Sequence, residues 1–369
     1  MSKNKKIVVM YTEDESNPRA TWSGTSYSLR NALENYVDVS FVDLKLGIVL
    51  KTLKRISDII GRKRKTIIVG KCFDILLQIK ASYLLKEYKG IPVLEIANEV
   101  KIRNPYYTYQ DLSLAFVQNS KNKNHGLHGG GLRQQLSDKE LSREVEVQRK
   151  IYDSADACFF MGNWITQYMK NKYPHLENKF ITVGGGINKE FHPNNDFVVQ
   201  KDNIILFVGI DFERKGGPLL IDAFSIVRKT IEDAQLLIVG PTKSEGSCIE
   251  GVKFLGRLSR KEVEKIFIQA SVFCLPSKFE AYGLVFPEAL GFGVPCIGLD
   301  RYEMPYFIEN GKNGYLLMNE DPAELANLLI KALRNREMKQ YTMRMANKER
   351  KKYSWDAVAE RILNSIFEE

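Results

Sequence analysis

The sequence predicts an α/β protein built from two parallel-sheet domains that face each other across a cleft. Three observations lead there. Short apolar runs alternate with helical patterns along the whole chain. The runs are apolar at every position rather than every second one, the pattern of strands covered on both faces. The alternation breaks once, at the polar, Pro- and Asn-containing stretch Ile187–Asn203, and then restarts. A chain of 369 residues is long enough for two cores.

In order, KIVVMYT, VDVSFVD, TIIVG (Thr66–Gly70), PVLEIAN, ACFFMG and KFITVGG read as strands of the first series. Tyr27–Glu34, Cys72–Glu87, Lys139–Asp153 and Trp164–Lys172 read as the helices between them. NIILFVG, AQLLIVG, VKFLG, SVFCLPS, VPCIGLD and GYLLMN form the second series. Strands alternating with helices define Rossmann-like domains, whose ligands bind at the carboxyl ends of the strands. The expected division is residues 1–186, a linker at 187–203, a second domain at 204–352 and a last helix at 353–369. Two places in the first series look irregular. One is TWSGTSYS (Thr21–Ser28), where Gly24 lets backbone approach a ligand. The other is the long stretch Asn98–Ser137, expected to be a functional or mobile loop. Its His125 and His128 lack an obvious third ligand, so no metal is expected there.

Composition narrows the class. Hydrophobic residues make up 44% and charged residues 27%, a soluble globular profile. No apolar run reaches the roughly 20 residues of a membrane span, and the N-terminus reads as a strand rather than a secretory leader. The five cysteines show no Cys-x-x-Cys spacing, so reduced, structural thiols and a cytoplasmic location are expected. Charge is uneven. Residues 1–184 hold 29 Lys and Arg against 19 Asp and Glu, and residues 185–369 hold 25 against 26. The excess is densest at Lys51–Lys65, an amphipathic pattern with Leu53, Ile56 and Ile60 on one face. Such a helix either lies on an anionic membrane surface at the inner face of the membrane or packs on the core with a solvated basic side. No interleaved aromatics accompany it, so nucleic acid is not an expected partner.

The chemistry concentrates in SKFEAYGLVFPEALG (Ser277–Gly291). An apolar strand ends, a turn carries Glu280 and Gly283, and a helix begins near Val285 with Glu288 inside it. Backbone N–H groups of Gly283, Leu284 and Val285 suit a phosphate there. The two glutamates flank the helix start. FVGIDFERKGG (Phe207–Gly217) adds Arg214 and Lys215 after another strand, two cations fit to neutralise a diphosphate. The chain has no Asp-x-Asp, so the motif of metal-dependent sugar-nucleotide sites is lacking and leaving-group charge falls to these cations and backbone donors. No Gly-x-Gly-x-x-Gly follows a strand, which argues against a dinucleotide oxidoreductase.

With those residues in view, the chain resembles the retaining glycosyltransferases of family 4, which have the GT-B architecture. FVGIDFERKGG is similar to the family's Gly-Arg-x-x-x-x-Lys-Gly segment, with Ile210 where the family has arginine. KFEAYGLVFPEAL resembles the Glu-x7-Glu motif. The resemblance implies that Glu280 binds donor sugar hydroxyls, Glu288 the ribose and Lys215 the phosphate, with Arg214 supplying charge from a shifted position. It implies further donor contacts from Gly24 and from Arg257 and Leu258 in FLGRLSRKE, and a last helix (Tyr353–Phe367) crossing back to the first domain. The family's histidine after the fourth strand is replaced by Asn98 and Glu99, expected on the acceptor side with His125 and His128. The expected activity is metal-independent transfer from a nucleotide diphosphate sugar, UDP-sugar favoured, to a glycan, lipid-linked or protein acceptor. A sugar-nucleotide epimerase of the same fold and a non-catalytic or partner-dependent subunit remain the alternatives.

Overall fold

The structure, a computed structural model, describes residues 5–13, 17–45, 47, 52, 65–96, 100–122, 137–188, 203–241 and 249–367. They divide into two compact units. The first holds the described residues up to Gly186 together with the C-terminal helix from Trp355; the second runs from Ile187 to Ser354.

The first unit contains strands β1 (Lys6–Tyr11), β2 (Asp38–Asp43), β3 (Val93–Ile96), β4 (Tyr106–Gln110), β5 (Ala157–Phe160) and β6 (Phe180–Thr182). They form one sheet in the order β2-β1-β3-β4-β5-β6, parallel throughout. Its helices are α1 (Thr25–Glu34), α2 (Lys65–Leu84), α3 (Leu114–Asn122), α4 (Asp138–Ser154) and α5 (Asn163–Lys172). β1 is buried from Ile7 to Tyr11, which is why its sequence carries no alternation. A capping box starts α4: the Glu140 amide donates to Ser137, and the Ser137 amide donates to the Glu140 carboxylate.

Two expectations are corrected here. Thr66–Gly70 is not a strand but part of α2. A short continuous apolar run does not distinguish a strand from a buried helix. Here the run continues into a helix whose Leu77 and Ala81 pack with Val8, Met10 and Val93 of the sheet. The stretch Asn98–Ser137 is not one long loop, because it contains β4 and α3. β4 pairs Tyr106 with Val93 on one side and Tyr107 with Ala157 on the other, a central strand rich in aromatic and β-branched residues. The basic stretch Lys51–Lys65, apart from Thr52 and Lys65 itself, and linker residues 189–202 lie outside the described residues.

The second unit contains β7 (Ile204–Val208), α6 (Gly217–Arg228), β8 (Gln235–Val239), β9 (Val252–Gly256), α7 (Arg260–Gln269), β10 (Val272–Leu275), α8 (Val285–Gly291), β11 (Cys296–Leu299), α9 (Met304–Phe307), β12 (Gly314–Leu317), α10 (Pro322–Arg334) and α11 (Arg336–Lys352). The sheet order is β12-β11-β10-β7-β8-β9, again all parallel. This is the doubly wound order, and the winding reverses between β7 and β10. Ser259 with Glu262 caps α7, and Asp321 accepts the Glu324 amide at 2.7 Å to start α10. Such caps stabilise a helix by about 1 kcal/mol each.

The last helix, α12 (Trp355–Phe367), packs on α1 in the first unit. Asn35 donates to Asp356 at 3.0 Å, Tyr36 to Glu360 at 3.0 Å, and Arg361 to the Val183 carbonyl at 2.6 Å. Gly186 admits the Trp355 indole, since a Cβ there would lie 2.3 Å from the ring. Among the described residues, Cys158, Cys274 and Cys296 are free and buried. No described helix is long and apolar enough to cross a membrane.

Candidate functional site

In a doubly wound sheet the ligand crevice opens at the carboxyl ends of the two strands flanking the switch point. In the second unit these are β7 and β10, followed by the loops Gly209–Gly216 and Pro276–Leu284. The loops are sewn together by backbone. The Arg214 carbonyl accepts from the Lys278 amide at 2.9 Å and from the Ser277 hydroxyl at 3.4 Å. Gly216 makes the close approach: its φ is +76°, and a Cβ would stand 2.1 Å from the Pro276 carbonyl oxygen. Only glycine accepts both conditions at little cost.

The charged side chains meet in that crevice. Lys215 Nζ lies 2.7 Å from Glu280 Oε1, with side chains only 16% and 13% exposed. Arg214 donates through Nε to Asp211 at 2.9 Å and through Nη1 to the Phe279 carbonyl at 2.6 Å, and lies 3.5 Å from Glu280. Arg214 thus spans the two loops, and both cations converge on one carboxylate. Gly209 leaves room for the lysine stem, since a Cβ there would sit 2.2 Å from Lys215 Cδ. Ile210 is 66% exposed beside this cluster in sequence, at the position where the family resemblance places arginine.

Gly283 ends the turn with φ +86°, and its carbonyl accepts the Phe286 amide at 2.9 Å. Leu284 is the N-cap of α8 and Val285 its first residue; Glu288 is half-buried in the first turn. Arg257 is exposed and Leu258 half-buried, directly after Gly256 at the carboxyl end of β9. All these positions follow carboxyl ends of strands in one sheet, and Arg214 and Lys215 both reach the Glu280 carboxylate there. Sequence reasoning missed Tyr302. It holds a left-handed φ of +56°, packs edge-on against Phe279 at 5.1 Å, and burial raises its phenol pKa. Nothing local in the sequence marks it.

In the first unit, Gly24 is the N-cap of α1 with φ +91°, preceded by Trp22 and Ser23 at φ +46° and +58°. Beside them lies a cavity of about 340 Å³ at the carboxyl ends of β1, β3 and β4. Gln110 and Asp111, at the end of β4, belong to the stretch expected to be a loop. Asn98, Glu99, His125 and His128 lie outside the described residues.

Two six-stranded parallel sheets with this winding define a GT-B-type α/β protein. Residues 188–352 match the family of glycosyl transferases group 1. The chain is 31% identical over 167 residues to the phosphatidyl-myo-inositol mannosyltransferase of Mycobacterium leprae, covering 43% of this chain and 45% of that one. It is 26% identical over 283 residues to an uncharacterized glycosyltransferase of Methanocaldococcus jannaschii, covering 74% and 77%. Among solved structures it is similar to the lipopolysaccharide outer core galactosyltransferase WaaB (TM-score 0.67, 16% identity, 98% and 99% covered). It is also similar to Anabaena HepE in complex with UDP and glucose (TM-score 0.57, 13% identity, 98% and 99% covered). Residues 188–352 are thus similar to glycosyl transferases group 1, in a chain whose fold is of the GT-B type.

Proposed function

We propose that this protein transfers a hexosyl group, with retention of configuration, from a nucleotide diphosphate sugar to an acceptor hydroxyl in glycan or glycolipid biosynthesis. The observation that carries the reading is the Lys215–Glu280 pair at the switch point of a group 1 domain. A UDP-sugar is the favoured donor, since a structural neighbour holds UDP and glucose.

In this mechanism Lys215 and the backbone donors at Gly283, Leu284 and Val285 hold the diphosphate, with Arg214 adding charge. Glu280 accepts from sugar hydroxyls and Glu288 from the ribose; Arg257 and Leu258 hold the base through backbone. The bond from C1 to the diphosphate oxygen breaks while a bond from C1 to the acceptor oxygen forms on the same face. The acceptor proton passes to the departing phosphate, so no protein base is required.

The test is a thermal-shift and donor-hydrolysis screen over UDP-, GDP-, ADP- and dTDP-sugars, with and without EDTA, on wild type and Glu288→Ala. Stabilisation by one nucleotide class, kept in EDTA and lost in the variant, supports a metal-free donor site. An interconverted sugar nucleotide without any acceptor identifies an epimerase instead. Absence of nucleotide binding overturns the reading, unless an added partner protein restores it.

Peripheral membrane attachment is part of the proposal. Lys51–Lys65 holds seven Lys and Arg against one Asp, and α2 leaves Ile75, Ile79 and Tyr83 largely exposed at i, i+4 and i+8. Binding to phosphatidylglycerol-containing vesicles should fall in the Ile79→Asp, Tyr83→Ser double variant. Equal binding to neutral phosphatidylcholine vesicles would sink this part.

A further inference from the structure

The loop from β11 to α9 holds a conformation unusual for its residue types. Tyr302 has φ +56°, in the left-handed region where glycine or asparagine sits at lower cost. A bulky residue keeps such a conformation only where its surroundings over-determine it, and strain of this kind gathers at functional sites. Tyr302 is half-buried, so core packing by itself does not account for it.

Tyr302 packs on the loop that carries Glu280. β11 pairs in parallel with β10, so the loops that follow them leave the same end of the sheet side by side. Tyr302 meets Phe279 edge-on, with ring centroids 5.1 Å apart and planes at 83°. The Phe279 carbonyl accepts from Arg214 Nη1 at 2.6 Å. The next residue is Glu280, on which Arg214 and Lys215 converge. Further along, Phe307 meets Tyr282 edge-on at 5.1 Å, and a Cβ on Gly283 would lie 2.9 Å from Met304 Cε. The β11–α9 loop and α9 thus back the Glu280 turn at both ends. Met304 and Phe307 reach the end where α8 starts, and Tyr302 reaches the end that carries the carboxylate.

Under the transfer reading the two ends act differently. Gly283, Leu284 and Val285 hold the diphosphate, whereas Glu280, with Arg214 beside it, fixes where the sugar sits. A small displacement there changes the rate of transfer more than the affinity for nucleotide.

We propose that Tyr302 is a positioning residue: its ring holds Phe279 so that the Phe279 carbonyl keeps Arg214 beside Glu280 in the geometry that transfer needs. The link to transfer rests on the reading above; the chain of contacts from Tyr302 through Phe279 to Arg214 does not.

The test compares Tyr302→Gly, Tyr302→Asn and Tyr302→Phe in the full chain. Glycine and asparagine accept the left-handed backbone and remove the ring, while phenylalanine keeps the ring. The first readout is the Arg214 Nε–H resonance in a nitrogen–proton TROSY spectrum, assigned by its loss in Arg214→Lys. It should shift in Tyr302→Gly and Tyr302→Asn and return to its wild-type position in Tyr302→Phe. The second readout is kinetic. In the glycine and asparagine variants kcat should fall about tenfold while the dissociation constant for UDP changes by less than about twofold, and phenylalanine should restore kcat. A tyrosine that only stabilises the fold would move the urea midpoint and leave kcat at saturating donor unchanged, which overturns the proposal. An unmoved Arg214 resonance, a loss of UDP affinity as large as the loss of kcat, or a Tyr302→Phe that behaves like Tyr302→Gly also overturns it. If the wild type transfers no sugar, the transfer reading fails and the Arg214 resonance alone decides whether Tyr302 positions Arg214.

Discussion

Glu280→Gln should separate nucleotide binding from sugar transfer, in opposite directions. Lys215 and Glu280 are 2.7 Å apart and mostly shielded from solvent. A diphosphate that recruits Lys215 must compete with that carboxylate. A hydrogen bond to a charged group contributes about 1.5–3 kcal/mol. Taking the lower end, since both groups keep some solvent, glutamine returns about 1.5 kcal/mol to the ligand, or roughly tenfold tighter binding. Transfer should fall about 10- to 100-fold, because the same substitution weakens the charged contact to sugar hydroxyls. Isothermal titration with whichever nucleoside diphosphate stabilises the wild type gives the first number, and a transfer assay the second. An unchanged or weakened nucleotide affinity in Glu280→Gln would refute the competition argument, even if activity fell.

Three further outcomes are expected. Ile210→Arg places a cation at an exposed position, so it should leave the urea midpoint unchanged and tighten nucleoside diphosphate binding about tenfold at low salt, with the gain shrinking as salt is added. Gly216→Ala should destabilise the second unit by about 1–3 kcal/mol, read from urea unfolding, because φ is +76° and the methyl meets the Pro276 carbonyl. Burial pushes the Cys158 thiol from 9.0 up to about 12 and the Tyr106 phenol well above 10.0. The unfolded chain sheds those protons near their ordinary values while the fold retains them, so stability is complete below 9.0 and declines as pH rises above it. Urea midpoints that stay level from 9.0 upward would contradict this.

The strand pattern was legible because a strand buried on both faces must be apolar at every position, and such runs carry that requirement locally. Eleven of the twelve strands were read from apolar runs, although the edge strands β2 and β9 are only partly buried. β4, YYTYQ, was not, because its buried surface is made of tyrosines, threonine and glutamine. Thr66–Gly70 failed in the other direction: apolar content marks burial, and only the continuation of α2 across β1 and β3 decides between helix and strand. Arg214, Lys215 and Glu280 were singled out by residue type and motif, and the tertiary structure brings them into contact from loops 65 residues apart in sequence.

What the sequence by itself determined is the class of fold, the break between two series of strands, and the residues with chemistry suited to a diphosphate and a sugar. These are local properties, set by burial and by side-chain type. The Lys215–Glu280 pairing, the strained Tyr302 beside Phe279, and a cavity assembled from Thr12, Trp22, Asp111 and Gln148 were decided only by the tertiary structure. Each depends on segments far apart along the chain that sheet order alone sets side by side, and no short pattern in any one segment records its neighbours.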